Sequence, residues 1–193
     1  MNPSIDFLLL GSEPLPLAAP NLHFHPTTLA GIEQRIRAKL SVQPAPLSPY
    51  KLCDLRPMFG ELFDEYLASY QFWAHADLDV VFGDLRRQIL TEDMLAAYDI
   101  ISTNPTRMNG PLSFWRNVPA VNGLFRQNSK HIEILQTESN QVFDEIGIND
   151  IILNNRDTVR FACRATHVHP QSRGLYYWEK GRVFEEFTGR ETG

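Results

Sequence analysis

The chain has 193 residues, of which 43% are apolar and 21% are charged, and its formal net charge is −5. This composition excludes global disorder, and the acidic balance excludes a nucleic-acid binder that works through a broad basic face. The first apolar run covers residues 7–10, far short of the roughly 20 residues that cross a bilayer. Two cysteines and an N-terminus without a basic, apolar leader favour a cytoplasmic protein.

The first half of the chain predicts alternating strands and helices. We expect a buried strand at residues 5–10, then a proline-broken loop. A helix follows, capped by Thr27 or Thr28, with apolar residues spaced three or four apart from Leu29 to Leu40. A further helix is expected at residues 58–66 and a buried strand at 72–76.

The second half continues the pattern. Asp84 and Thr91 are expected to cap short helices, and residues 100–102 and 113–116 read as strands on either side of a polar loop. Pro119 opens a helix, residues 141–148 form another, and residues 176–184 form a hairpin. Together these elements predict an α/β fold in one domain spanning residues 1–193.

The chemical feature that stands out is the pair Asp77 and Asp79, directly after the strand at 72–76. In an extended segment both carboxylates point the same way, at the carboxyl end of a strand, where open α/β sheets bind their ligands. Two such carboxylates suit Mg²⁺ or Mn²⁺ with a bound diphosphate. The alternative is a solvated turn after a strand.

Several segments resemble a family of bacterial glycosyltransferase-like proteins that often lie among genes for surface polysaccharides. The resemblance rests on residues 50–57 (YKLCDLRP) and 72–86 (FWAHADLDVVFGDLR), and it continues through 98–102, 114–117 and 142–145. The Asp-x-Asp pattern is also similar to that of retaining glycosyltransferases of the glycogenin and galactosyltransferase type.

The resemblance implies a GT-A fold: a three-layer sandwich with a mostly parallel central sheet, here without the usual first and last strands. It implies a nucleotide-diphospho-sugar donor, a divalent metal ion on Asp77 and Asp79, and transfer of the sugar to a hydroxyl of a glycan or lipid-linked acceptor. Residues 5–102 would form the half that binds the donor and metal, and residues 103–193 the acceptor half. Such an enzyme would act in the cytoplasm, with peripheral attachment to the inner face of the membrane as one option.

Further site residues follow from this pattern. In the resembled families the helix before the metal strand faces the donor, so Lys51, Asp54 and Arg56 are expected to contact it together with Asp77. Arg116 and Asp144 are expected near the acceptor or the reacting centre, with Asp144 as a base. The alternatives are an ion pair on a surface helix for the first group, and a favourable dipole interaction at a helix start for Asp144.

Two other functions remain open at this point. A degenerate transferase-like domain would bind a glycan or a partner protein without turnover. A metal hydrolase would use the two His-x-His pairs, His23 with His25 and His167 with His169, as imidazole ligands.

Overall fold

The computed structural model describes residues 2–14, 16, 18–164, 175–179 and 182–186, the last two ranges for the backbone alone. The N-terminal part is a two-stranded parallel sheet of β1 (Phe7–Gly11) and β2 (Leu22–Pro26). The predicted first strand is confirmed with a shift of one or two residues. β2 is not predicted by the sequence, because it is short, follows Pro20 closely and ends at Pro26, and prolines are typical of loops.

The first helix, α1 (Leu29–Leu40), forms as its sequence predicts. The side chain of Thr28 accepts a hydrogen bond from the backbone N–H of Gly31 at 3.1 Å and so caps the first turn. Ile32, Ile36 and Leu40 are buried on one face. This face packs on the helices that precede the main sheet, and the burial of its apolar side chains stabilises the helix.

The main sheet has four strands in the order β3-β5-β4-β6. They are β3 (Phe72–Ala76), β4 (Ile100–Ser102), β5 (Leu112–Arg116) and β6 (Phe161–Cys163). β5 is antiparallel to both of its neighbours, and only β4 and β6 pair in parallel. The expected mostly parallel central sheet is therefore wrong for this sheet, which is mixed. The reason is the connection between β4 and β5, a loop of residues 103–111 that reverses the chain where a parallel pair needs a longer crossover.

The helices around this sheet are short. They are α2 (Leu52–Leu55), a 3-10 turn (Arg56–Met58), α3 (Phe59–Leu62), α4 (Asp64–Leu67), α5 (Leu85–Gln88), α6 (Glu92–Ala97), α7 (Pro119–Asn122), a second 3-10 turn (Leu124–Gln127), α8 (His131–Gln136), a π-turn (Phe143–Gly147) and α9 (Ile148–Asn154). Asp84 and Thr91 cap α5 and α6 as predicted. The single helix expected at 58–66 is wrong, because Phe63 leaves the helical conformation with φ −125° and ψ 25°.

Apolar side chains cover both faces of the main sheet. One cluster contains Trp73, Ile100 and Trp115 and is closed by α1, α3 and α9. The other contains Ile101 and Phe114 and is closed by α5 and α6. Helices therefore pack on both faces of the sheet, and residues 5–102 and 103–164 share it.

The last described segments are β7 (Leu175–Glu179) and β8 (Arg182–Glu186), which pair in antiparallel fashion. The predicted hairpin at residues 176–184 is thus confirmed.

Candidate active site

The pair Asp77 and Asp79 lies where β3 ends. The backbone N–H of Asp77 donates to Pro111 O at 2.9 Å. Because Pro111 directly precedes β5, the pairing between β3 and β5 extends one residue beyond both strands. The backbone N–H of Val80 then donates to Asp77 O at 3.3 Å, which closes a turn. The expectation of two carboxylates on one face of an extended segment is therefore wrong. The Asp77 side chain is partly buried, whereas Asp79 is exposed.

Arg56 joins two of the predicted site residues. Its Nη1 donates to Asp144 Oδ2 at 2.7 Å, and its Nη2 donates to Asp77 Oδ1. The three side chains are largely sheltered, with 5% of Asp144, 14% of Arg56 and 31% of Asp77 exposed. We call these three residues the Arg56 bridge. The fold brings them together from the end of β3, the 3-10 turn and the π-turn, across sequence separations of 21 and 88 residues.

The Asp144 carboxyl has an altered affinity for protons. Burial raises its pKa from 3.8 to about 6; Glu145 and Asp54 act in the same direction, and the positive charge of Arg56 opposes them. A carboxyl group with a pKa near 6 is mostly ionised at pH 7 and can still accept a proton readily. The described contacts of Asp144 thus combine a raised pKa with a direct ion pair to Arg56.

The loop between β4 and β5 lies against the Arg56 bridge. A Cβ atom on Gly110 would lie 2.9 Å from both Arg56 Nη1 and Asp144 Oδ2, so this close approach suits glycine. Hydroxyl groups of the sheet fix the loop: Ser113 Oγ donates to Asn109 O at 2.7 Å, and Ser102 Oγ donates to Arg107 O at 2.6 Å. Gly110 was not among the predicted site residues, although the Asn-Gly-Pro sequence at 109–111 is a turn signal.

His75 is a second residue that sequence reasoning did not assign to the site. It lies on the same face of β3 as Trp73, is 5% exposed, and its ring lies near the backbone of Asn109 and Gly110. Burial lowers its pKa to about 3, and the charge of Arg56 adds to this effect. The ring is therefore neutral at pH 7.

Lys51 and Asp54 form an ion pair inside the protein. Lys51 Nζ lies 2.8 Å from Asp54 Oδ2, and the two side chains are 1% and 0% exposed. Their other partners belong to the backbone and side chains of residues 139–143. Of the two interpretations that the sequence left open, a contact with the donor or an ion pair on a surface helix, the structure shows the ion pair, but it is buried instead of lying on the surface. The contacts made by these two side chains are internal.

Arg116 lies at the opposite end of the sheet from the Arg56 bridge. Its register partner on β3 is Phe72, about 17 Å along the chain from Asp77 at 3.3–3.4 Å per residue. Arg116 Nε donates to Asp99 Oδ1 at 2.8 Å. Hydrogen bonds from Arg160, with a smaller contribution from Arg116, lower the pKa of Asp99 to about 2. The fold therefore separates Arg116 from Asp144 and places it in a different ion-pair network.

The described residues contain no group of three or more His, Cys, Asp or Glu side chains arranged to hold a metal ion. His23 Nε2 lies 3.3 Å from Asp6 Oδ1, and the ring of His25 packs on Tyr66 with centroids 4.3 Å apart. The second pair, His167 and His169, lies outside the described residues.

The comparisons with known proteins point to one family. A family model described as "Family of unknown function (DUF6625)" matches residues 1–192. No curated protein and no solved structure matches the chain. Within the described part of the chain, no helix is long and apolar enough to cross a membrane.

Proposed function

The chain belongs to DUF6625, a family of unknown function, and we propose that it is a metal-dependent glycosyltransferase with a GT-A-like fold. In this proposal it moves a sugar from a nucleotide-diphospho-sugar to a hydroxyl of a glycan or lipid-linked acceptor. The setting that we propose is the cytoplasmic assembly of a bacterial surface polysaccharide.

The observation that carries the proposal is the Arg56 bridge. Transfer from such a donor needs positive charge for the diphosphate and a group that can take a proton from the acceptor hydroxyl. Arg56 supplies a planar guanidinium, which binds phosphate oxygens in pairs. Asp144 supplies a carboxyl group with a pKa of about 6 in contact with it. Both groups lie where β3 ends.

The carboxylate ligands that Asp77 and Asp79 offer fit a divalent cation only in part. Mg²⁺ is commonly bound by one or two carboxylates, with phosphate oxygens and water filling its other positions. Two carboxylates separated by one intervening residue in a turn meet that requirement, provided that Asp77 exchanges Arg56 for the cation. When bound, the cation would neutralise charge on the departing diphosphate.

Asp144 is the proposed base. The acceptor oxygen forms a bond to the anomeric carbon and gives its proton to a carboxylate oxygen of Asp144. The bond between that carbon and the diphosphate oxygen breaks, and its electron pair leaves with the nucleoside diphosphate. The pKa of about 6 supports this role, because the carboxylate is ionised at pH 7 yet is a stronger base than an ordinary aspartate.

The second candidate function is a transferase-like domain that binds a glycan or a partner without turnover. The observation that favours it is that both carboxylates of the bridge are already engaged by Arg56. Such a domain would have no need of a cation or a free base at this place.

Calorimetric titration separates the two functions. A panel of nucleoside diphosphates and nucleotide sugars is titrated with and without Mn²⁺ into the wild type, Asp77→Asn and Asp79→Ala. The transferase requires Mn²⁺-dependent binding that falls at least roughly tenfold in both variants, the loss expected for about 1.4 kcal/mol. Asp157→Ala, which alters an exposed aspartate elsewhere, is the matched control and should bind as the wild type does. Folded wild-type protein that binds no member of the panel would favour the non-catalytic domain.

A further inference from the structure

Val142, directly before the π-turn, has an unusual backbone conformation. Its φ is 54°, in the left-handed region that a β-branched residue rarely adopts. A conformation of this kind costs roughly 1–3 kcal/mol and persists only where the surroundings hold it. The side chain of Val142 is 40% exposed, so its packing is a weak source of compensation. The compensation must therefore come from contacts made by the backbone.

Side-chain acceptors hold three successive backbone N–H groups around this residue. Asp54 Oδ2 accepts from Gln141 N and Asp54 Oδ1 accepts from Phe143 N, both at 2.8 Å. Asn140 Oδ1 accepts from the N–H of Val142 itself at 2.9 Å. The strained residue is thus fixed on both sides and at its own amide.

Lys51 makes this use of Asp54 possible. A carboxylate that is 0% exposed needs a counter-charge, and Lys51 Nζ supplies it at 2.8 Å. The same ammonium group donates to Ser139 O at 3.0 Å and so holds the start of the segment. A buried ion pair is weak evidence for stability, because apolar replacements are often neutral or stabilising. A role in selecting one backbone conformation accounts for the pair better.

The π-turn that follows presents Asp144 to Arg56. Phe143, at its first position, is buried, and Gly147 at its end packs so tightly on that ring that a Cβ would lie 2.4 Å from Phe143 Cδ2. With both ends fixed, the direction of the Asp144 side chain is determined by the segment that Asp54 holds. Single turns of π-helix, such as this one, occur frequently at functional sites, which agrees with this arrangement.

We propose that Lys51 and Asp54 are positioning residues, which hold residues 139–143 in the strained conformation that presents Asp144 to Arg56. They act on Asp144 through the backbone and do not contact the donor. The catalytic meaning of this placement rests on the proposed function, whereas the placement itself is measurable in the ligand-free protein.

The test is a pH titration of the Asp144 carboxyl, monitored by NMR in the absence of any ligand. The paired variant Lys51→Met/Asp54→Asn removes both charges together and leaves the net charge unchanged. We expect the Asp144 midpoint to fall by at least roughly one pH unit, for two reasons: the nearby Asp54 charge is gone, and a released π-turn lets water reach the carboxyl. The uncharged Asn140→Ala variant isolates the second effect. Asn140→Ala changes no charge and should shift the midpoint in the same direction by less. Asp99→Asn, in the ion-pair network at the other end of the sheet, should leave it unchanged.

A rescue variant identifies the strain at Val142 as the link. Glycine adopts positive φ without steric cost, so Val142→Gly added to the paired variant should restore at least half of the lost shift. An unchanged Asp144 midpoint in the folded paired variant or, if that variant does not fold, in Asn140→Ala would overturn the proposal. Failure of nucleotide binding would leave this result intact and would count against the proposed function alone.

Discussion

Replacing Asp144 by asparagine should change how the stability of the protein depends on pH. Burial raises the pKa of this carboxyl from 3.8 to about 6 in the folded state. The folded protein therefore binds the Asp144 proton more tightly than the unfolded chain does. The stabilisation that comes from protonated Asp144 is complete below pH 3.8 and is lost as the pH rises through 6. An asparagine does not titrate, so the variant should lack this loss.

The magnitude follows from the pKa change. One pH unit corresponds to about 1.4 kcal/mol, so a rise from 3.8 to about 6 destabilises the folded state by about 3 kcal/mol at pH values well above 6. Roughly 2 kcal/mol of this falls between pH 4 and pH 7. Arg56 keeps its contact with Asp77 in the variant, so the guanidinium retains a counter-charge.

Urea denaturation of wild type and Asp144→Asn at several pH values between 4 and 7 measures the difference. The variant should gain roughly 2 kcal/mol relative to the wild type across this interval. Asp99→Asn is the control. The pKa of Asp99 is lowered to about 2, so its carboxylate stabilises the folded state fully across most of this range. The Asp99→Asn variant should therefore be less stable than the wild type by a nearly constant amount. Wild-type and Asp144→Asn profiles that run parallel would refute the placement of a raised pKa at Asp144.

Three further substitutions probe the same site. Arg56→Met removes the charge that lowers the pKa of Asp144, so the NMR midpoint of Asp144 should rise above 6, and a fall would contradict the bridge. Gly110→Ala places a Cβ 2.7 Å from Glu145 Oε1 and 2.9 Å from Arg56 Nη1 and Asp144 Oδ2. All three atoms end side chains that can shift, so Mn²⁺-dependent nucleotide binding should weaken at least roughly fivefold with less than about 1 kcal/mol lost in stability, and unchanged binding would contradict this placement. Gly147→Ala meets the buried ring of Phe143 at 2.4 Å and should cost roughly 1–3 kcal/mol in urea denaturation, whereas a cost below about 0.5 kcal/mol would contradict the packing of the π-turn.

Three of the seven residues predicted for the site meet in the structure, and their arrangement was not predictable. Arg56, Asp77 and Asp144 were all expected to be functional, and the fold places them in one network. The partnership between Arg56 and Asp144 spans 88 residues, and no local pattern encodes a contact at that separation. The same limit applies to Arg116, whose place in the sequence gave no sign that an antiparallel β5 carries it away from Asp144.

The sequence by itself determined the elements whose signals lie within a few residues. The Thr28, Asp84 and Thr91 caps and the apolar spacing of α1 act over one or two helical turns, so a short stretch of sequence contains the whole signal.

Only the tertiary structure decided the strand directions, the π-turn and the burial of the Lys51–Asp54 pair. The Asp77 side chain and the segment around the left-handed Val142 are held by partners far away in sequence, Arg56 and Asp54 respectively. A conformation that costs free energy locally forms only where distant groups compensate for it, and those groups meet only in the folded chain.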